Sequence, residues 1–122
     1  MRVLFVLMVV SLPFLSGCSP IWQKAESTPN AVNSVEQMRI TAAQGKAEAQ
    51  FNLGVMYKKG QGVPQDFAQA YMWVNLAAAQ GVEDAVRMRD NLLKKLTASQ
   101  IEEGQRLARE WIAKHPQAQV AQ

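Results

Sequence analysis

Apolar and polar positions divide the chain into three zones. Residues 3–10 are an unbroken apolar run behind Arg2, extended by Leu12, Pro13, Phe14 and Leu15. Residues 19–34 are mainly Pro, Ser, Thr, Asn and Gln with scattered apolar positions, a composition that predicts a flexible tether. From residue 35 onward apolar residues recur at intervals of three and four, the spacing that puts them on one face of a helix.

The helices can be bounded from their ends. Ala49, Leu53, Met56 and Tyr57 mark the buried stripe of a first helix, which Gly60 is expected to end and Gly62 and Pro64 to keep from resuming. Asp66, with Gln69 three residues on, has the pattern of a capping box opening a second helix. Its inward stripe would be Phe67, Ala70, Val74, Ala77 and Ala78, with Trp73 beside it and alanines permitting close approach. Gly54, costly inside a helix, should face a neighbouring backbone or the Trp73 ring. Gly81 closes the hairpin. Farther on, Ala85, Met88, Leu92 and Leu96 mark another amphipathic helix. Thr97 and Gln100 form a second capping box, stapled by Leu96 and Ile101. The last helix carries Ile101, Leu107, Ala108, Trp111 and Ile112, with an Arg106–Glu110 surface pair. His115 and Pro116 should end the fold, leaving residues 116–122 as a disordered tail.

These elements repeat. Ala43-Gln44-Gly45 returns 36 residues later as Ala79-Gln80-Gly81, and Ala49 returns as Ala85. Residues 35–45 align with 71–81 and would supply the second helix of a truncated preceding unit. The segment Ala47-Glu48-Ala49-Gln50-Phe51-Asn52-Leu53-Gly54-Val55-Met56-Tyr57, the turn through Gly60, Gly62 and Pro64 to Asp66, then Ala70-Tyr71-Met72-Trp73 and Ala77-Ala78 closely resemble the Sel1-like repeat, a relative of the tetratricopeptide repeat. The resemblance is strong over residues 47–81 and implies an all-α fold, a short α/α solenoid spanning residues 35–115. The last helix lacks the paired alanines and closing glycine of the pattern. It reads as a capping helix that covers an apolar end of the stack.

The first zone is too short for a membrane span, which needs roughly 20 apolar residues, and it ends at Leu15-Ser16-Gly17-Cys18. Those four residues resemble the lipobox of bacterial lipoproteins, which implies removal of residues 1–17 as a signal peptide and acylation of Cys18. The cysteine count agrees: Cys18 is the only cysteine, so an exported chain could form no internal disulfide, and lipidation accounts for the lone thiol. Ser19 after it, by the same resemblance, favours the outer membrane. Ile21 and Trp22 fall close to the lipid, either at the membrane interface or simply in the tether.

Composition adds limits. A chain of 122 residues with net charge +3 and 48% hydrophobic residues has room for one small domain and is neither disordered nor basic enough for a nucleic-acid binder. No His-Glu-x-x-His or Ser-x-x-Lys arrangement occurs. The single His115 stands near the terminus without an evident partner, Glu83-Asp84 and Glu102-Glu103 are adjacent pairs that diverge by about 100° on a helix, and Gly60-x-Gly62 is too short for a phosphate loop. No catalytic residue, cofactor or metal site is expected. The resemblance implies a lipid-anchored envelope module for protein–protein interaction, an adaptor or assembly factor for an envelope protein or peptide. The alternative is a cell-wall-associated enzyme or a binder of peptidoglycan or β-lactams, whose Sel1-like relatives carry regular cysteine pairs absent here.

One surface stands out. About 100° per residue from Ala49 places Phe51, Val55 and Lys58 opposite the buried stripe of the first helix, and the repeat offset carries this face onto Arg87, Asn91 and Lys94. Two outcomes are open: Phe51 and Val55 pack against neighbouring helices, or the six residues line a groove for an extended or helical peptide with apolar and acidic side chains.

Overall fold

The computed structural model describes residues 29–120, with side chains for 34–118. The expected signal peptide, Cys18 and the expected tether up to residue 28 lie outside the described residues. Every regular element among them is helical: α1 (Pro29–Ala43), α2 (Ala47–Lys59), α3 (Phe67–Ala79), α4 (Glu83–Lys95), α5 (Ala98–Lys114) and the short α6 (Gln117–Val120).

Local chemistry sets the helix ends. Gly60 takes a left-handed conformation at φ 70° and donates its amide to the Met56 carbonyl, closing α2. The Asp66 carboxylate accepts from the Gln69 amide at 3.0 Å and opens α3. At α5 the expected box forms in both directions: the Gln100 amide donates to Thr97 Oγ1 at 3.2 Å, and the Thr97 amide donates to Gln100 Oε1 at 3.0 Å. Leu96 and Ile101, the expected staple, pack on the same apolar cluster.

Short links make consecutive helices antiparallel, and α3 is the hub: α2, α4 and α5 all pack on it, while α1 packs on α2. The expected narrow stripe on α3 is therefore too narrow. Tyr71, Met72, Trp73 and Leu76 are buried along with Ala70, Val74, Ala77 and Ala78, whereas Phe67 at the first turn is only half-buried. A helix enclosed on three sides is apolar nearly all round.

Two clusters form the core. One gathers Ala42, Ala49, Leu53, Met72, Trp73, Leu76, Ala108 and Trp111 between α1, α2, α3 and α5. The other gathers Tyr71, Val74, Ala77, Ala78, Ala85 and Leu92 between α3 and α4. Glycines let backbones meet in both directions from α3. A Cβ on Gly54 would lie 2.6 Å from Val74 Cγ2 and 3.2 Å from the Ala70 carbonyl oxygen, so its neighbours are the α3 backbone and Val74 rather than the Trp73 ring. A Cβ on Gly104 would lie 2.9 Å from the Ala68 carbonyl oxygen, which seats α5 directly on the first turns of α3. Only Leu96 and Thr97 link α4 to α5, against residues 60–66 between α2 and α3. The last helix accordingly packs on α3 as a cap instead of closing a second regular hairpin.

Both expected boundaries move outward. Helix α1 begins at Pro29, six residues before the expected edge of the tether, since a proline at the first helical position sacrifices no hydrogen bond. At the other end residues 117–120 are helical where a disordered tail was expected. Ala118 joins the first cluster by lying against Gly45, where a Cβ would stand 2.8 Å from Ala118 Cβ.

Candidate interaction surface

The six residues expected to form a surface occupy successive first helices, α2 and α4, and they divide by environment. Phe51 is half-buried and packs against the α3–α4 cluster, so it belongs to the core edge. Val55 and Lys58 are half-buried, and the Lys58 carbonyl accepts from Gln65 Nε2 at 2.9 Å, which fixes the turn after α2. Arg87, Asn91 and Lys94 are exposed. Arg87 is engaged by Asp84 at 2.5 Å, and that hydrogen bond, with the attraction of the carboxylate, raises its pKa further above an already high value. The α2–α4 face thus offers one half-buried apolar residue, Val55, beside polar and basic groups.

A polar tie that apolar periodicity does not reveal lies at the opposite end of these helices. Gln50 is only 1% exposed, yet both polar atoms of its side-chain amide are hydrogen-bonded. Its Nε2 donates to the Ala42 carbonyl at 3.2 Å, and its Oε1 accepts from Gln80 Nε2 at 2.7 Å. Gln80 Nε2 also donates to the Gly45 carbonyl at 2.9 Å. One glutamine after α3 therefore fastens the turn before α2, joining one repeat to its predecessor. Its sequence signal is the repeated Ala-Gln-Gly, in which a glutamine stands beside each turn glycine. Gln50, Gln80, Leu76, Trp111, Ile112 and Ala118 also line an open pocket of about 290 Å³.

His115, expected to lack a partner, has two. Its Nδ1 lies 2.8 Å from the Trp111 carbonyl, and its ring stacks on that of Trp111 at 4.4 Å and 16°. The other side of Trp111 meets the Trp73 ring nearly edge-on, at 5.9 Å and 69°. On the outer face of α5, Arg106 pairs with Glu103 at 2.6 Å and with Glu110 as expected. The hydrogen bond from Arg106 holds the Glu103 carboxyl below the usual carboxylate range. Among the described residues no three His, Cys, Asp or Glu side chains are placed to hold a metal ion, and no helix is long and apolar enough to cross a membrane.

Residues 47–82 match the Sel1 repeat family model. The fold is similar, with a TM-score of 0.65 and 33% sequence identity, to the crystal structure of a protective antigen present in uropathogenic Escherichia coli strains and displaying an SLR fold. The match covers 72% of this chain and 19% of the antigen, so the chain spans about a fifth of that protein's length. No curated protein sequence matches.

Proposed function

Because this chain is a Sel1-like repeat protein, and such repeats generally mediate protein–protein contacts, we propose that it is an adaptor or assembly factor held at the bacterial envelope by an acylated Cys18. The outer membrane, facing the periplasm, is the proposed address. The proposed docking surface is the outward face of α2 and α4. What carries this assignment is the exposure of Arg87, Asn91 and Lys94 on α4, in register with half-buried Val55 and Lys58 on α2. These are corresponding positions on successive first helices, where a bound segment could run across both. Phe51 supports the face from beneath. The matching ligand is an extended or helical segment with apolar and acidic side chains.

The test is capture of envelope proteins by the full chain and by Arg87→Glu with Lys94→Glu. Both positions are exposed, so circular dichroism and melting should be unchanged while capture falls several-fold. Undiminished capture by the folded double variant would remove this face as the docking surface.

A further inference from the structure

The helices are charged asymmetrically along their length. Lys58 and Lys59 end α2, and Lys94 and Lys95 end α4, at corresponding positions of the repeat. The opposite ends of the same helices carry Glu48, Glu83 and Asp84. No ion pair among the described residues involves any of the four lysines. The nearby carboxylates are mostly committed: Asp66 caps α3, Asp90 lies 3.4 Å from Arg89, and Glu103 is held by Arg106. Glu36 on α1 and Glu102 on α5 also lie toward this end, which leaves the four lysines in excess. Leu93, 41% exposed, adjoins Lys94 at this end. Complementing the helix dipoles accounts for each lysine locally. It does not account for where the chain enters the fold.

That entry point lies at the same end. The turn after α2 meets the first half of α1, since a Cβ on Gly62 would come within 2.7 Å of Val35 Cγ2. The α1–α2 turn lies at the far end, where Gln80 reaches Gly45. Residues 1–28 therefore join the described fold beside the lysine end, and a lipid on Cys18 would draw that end toward the bilayer.

We propose that the end of the domain formed by Lys58, Lys59, Lys94 and Lys95 rests on anionic phospholipid headgroups, so that α2 and α4 stand upright on the membrane with their acidic ends away from it. This rests on the anchoring through Cys18 proposed above and adds the orientation. Each lysine close to an anionic surface strengthens attachment about fivefold, and the far end, where Lys46, Arg87 and Lys114 offset Glu48, Glu83 and Asp84, has no comparable positive excess to favour the inverted pose. Upright helices leave Val55, Arg87 and Asn91 of the α2–α4 face open to a partner, with Lys58 and Lys94 at its membrane edge.

The test is an amine-acetylation footprint on the full chain reconstituted into vesicles of phosphatidylcholine alone or mixed with phosphatidylglycerol. Lys59 and Lys95 should be modified several-fold more slowly in the anionic vesicles. Lys46 and Lys114, at the far end, should react equally in both, and high salt should abolish the difference. The variant Lys59→Glu with Lys95→Glu, both exposed, should stay folded, losing only the modest dipole complement at two helix ends, and show no anionic protection at Lys58 or Lys94. Equal footprints in the two vesicle types, or protection of all lysines alike, would overturn the orientation. Flotation with neutral vesicles reports separately on the anchor. If the chain fails to float with them the anchoring falls, and the orientation then stands only if flotation with anionic vesicles is lost in the double variant.

Discussion

Trp73 concentrates much of what single residues contribute here. It is 8% exposed, packs among Leu53, Met72, Leu76 and Trp111, and has an indole Nε1 with no hydrogen-bond partner among the described residues. Removing the ring leaves a cavity that a domain of this size cannot collapse around, so Trp73→Ala should cost about 3–5 kcal/mol and leave the chain largely unfolded. Trp73→Phe keeps most of the apolar contact and removes the unpaired donor, whose burial itself carries a cost. It should melt much closer to the parent than the alanine variant does. Thermal unfolding followed by circular dichroism checks both, and equal melting of alanine and parent would show that the ring does not hold the core. Gln50 makes the converse point. Its burial could not be read from its own neighbours, because a glutamine on a helix is ordinarily solvated and its acceptor and donor arrive from the end of α1 and from the far end of its own repeat.

At the scale of elements, helix ends were legible because caps are local chemistry. Gly60, Asp66 and the Thr97–Gln100 box lie where spacing put them, and Thr97→Ala should cost about 1 kcal/mol, lowering the melting temperature by about 4–8 °C. An unchanged melting curve would mean that α5 is held by its packing on α3 alone. The burial of α3 was less legible, since periodicity along one helix reports which faces are apolar but not how many neighbours will cover them. Tyr71 is read as buried only once α5 has been placed, with Gly104 admitting it. Helix α6 was not legible at all, because its seat is Gly45, distant in sequence. Deleting residues 117–122 should uncover the pocket beside Trp111 and Ile112 and speed amide exchange in the first turn of α2. If exchange there is unchanged, Ala118 does not hold that end.

For the molecule as a whole, the repeat offset was enough to foresee an α/α stack, and the Phe51 face shows where that foresight stopped. A face opposite one buried stripe is open only if no third helix covers it, and the contact of Phe51 with the α3–α4 cluster depends on how successive hairpins tilt. The proposed anchor is independent of that packing and is argued from Cys18, the only cysteine, at the end of an apolar run. A single acyl chain gives marginal, reversible attachment, because each buried methylene contributes about 0.8 kcal/mol, whereas diacylglycerol on the sulfur with a further acyl group on the new amino terminus would hold the chain in the bilayer. Cys18→Ala removes the only sulfur that can accept that lipid. The variant should accumulate as a larger, unprocessed chain and lose all incorporation of an alkyne fatty-acid analogue, while the helical domain still melts as the parent does. Label surviving the substitution would place the acyl group elsewhere and end the case for Cys18, and with it the reason for the lysine-bearing end to face lipid.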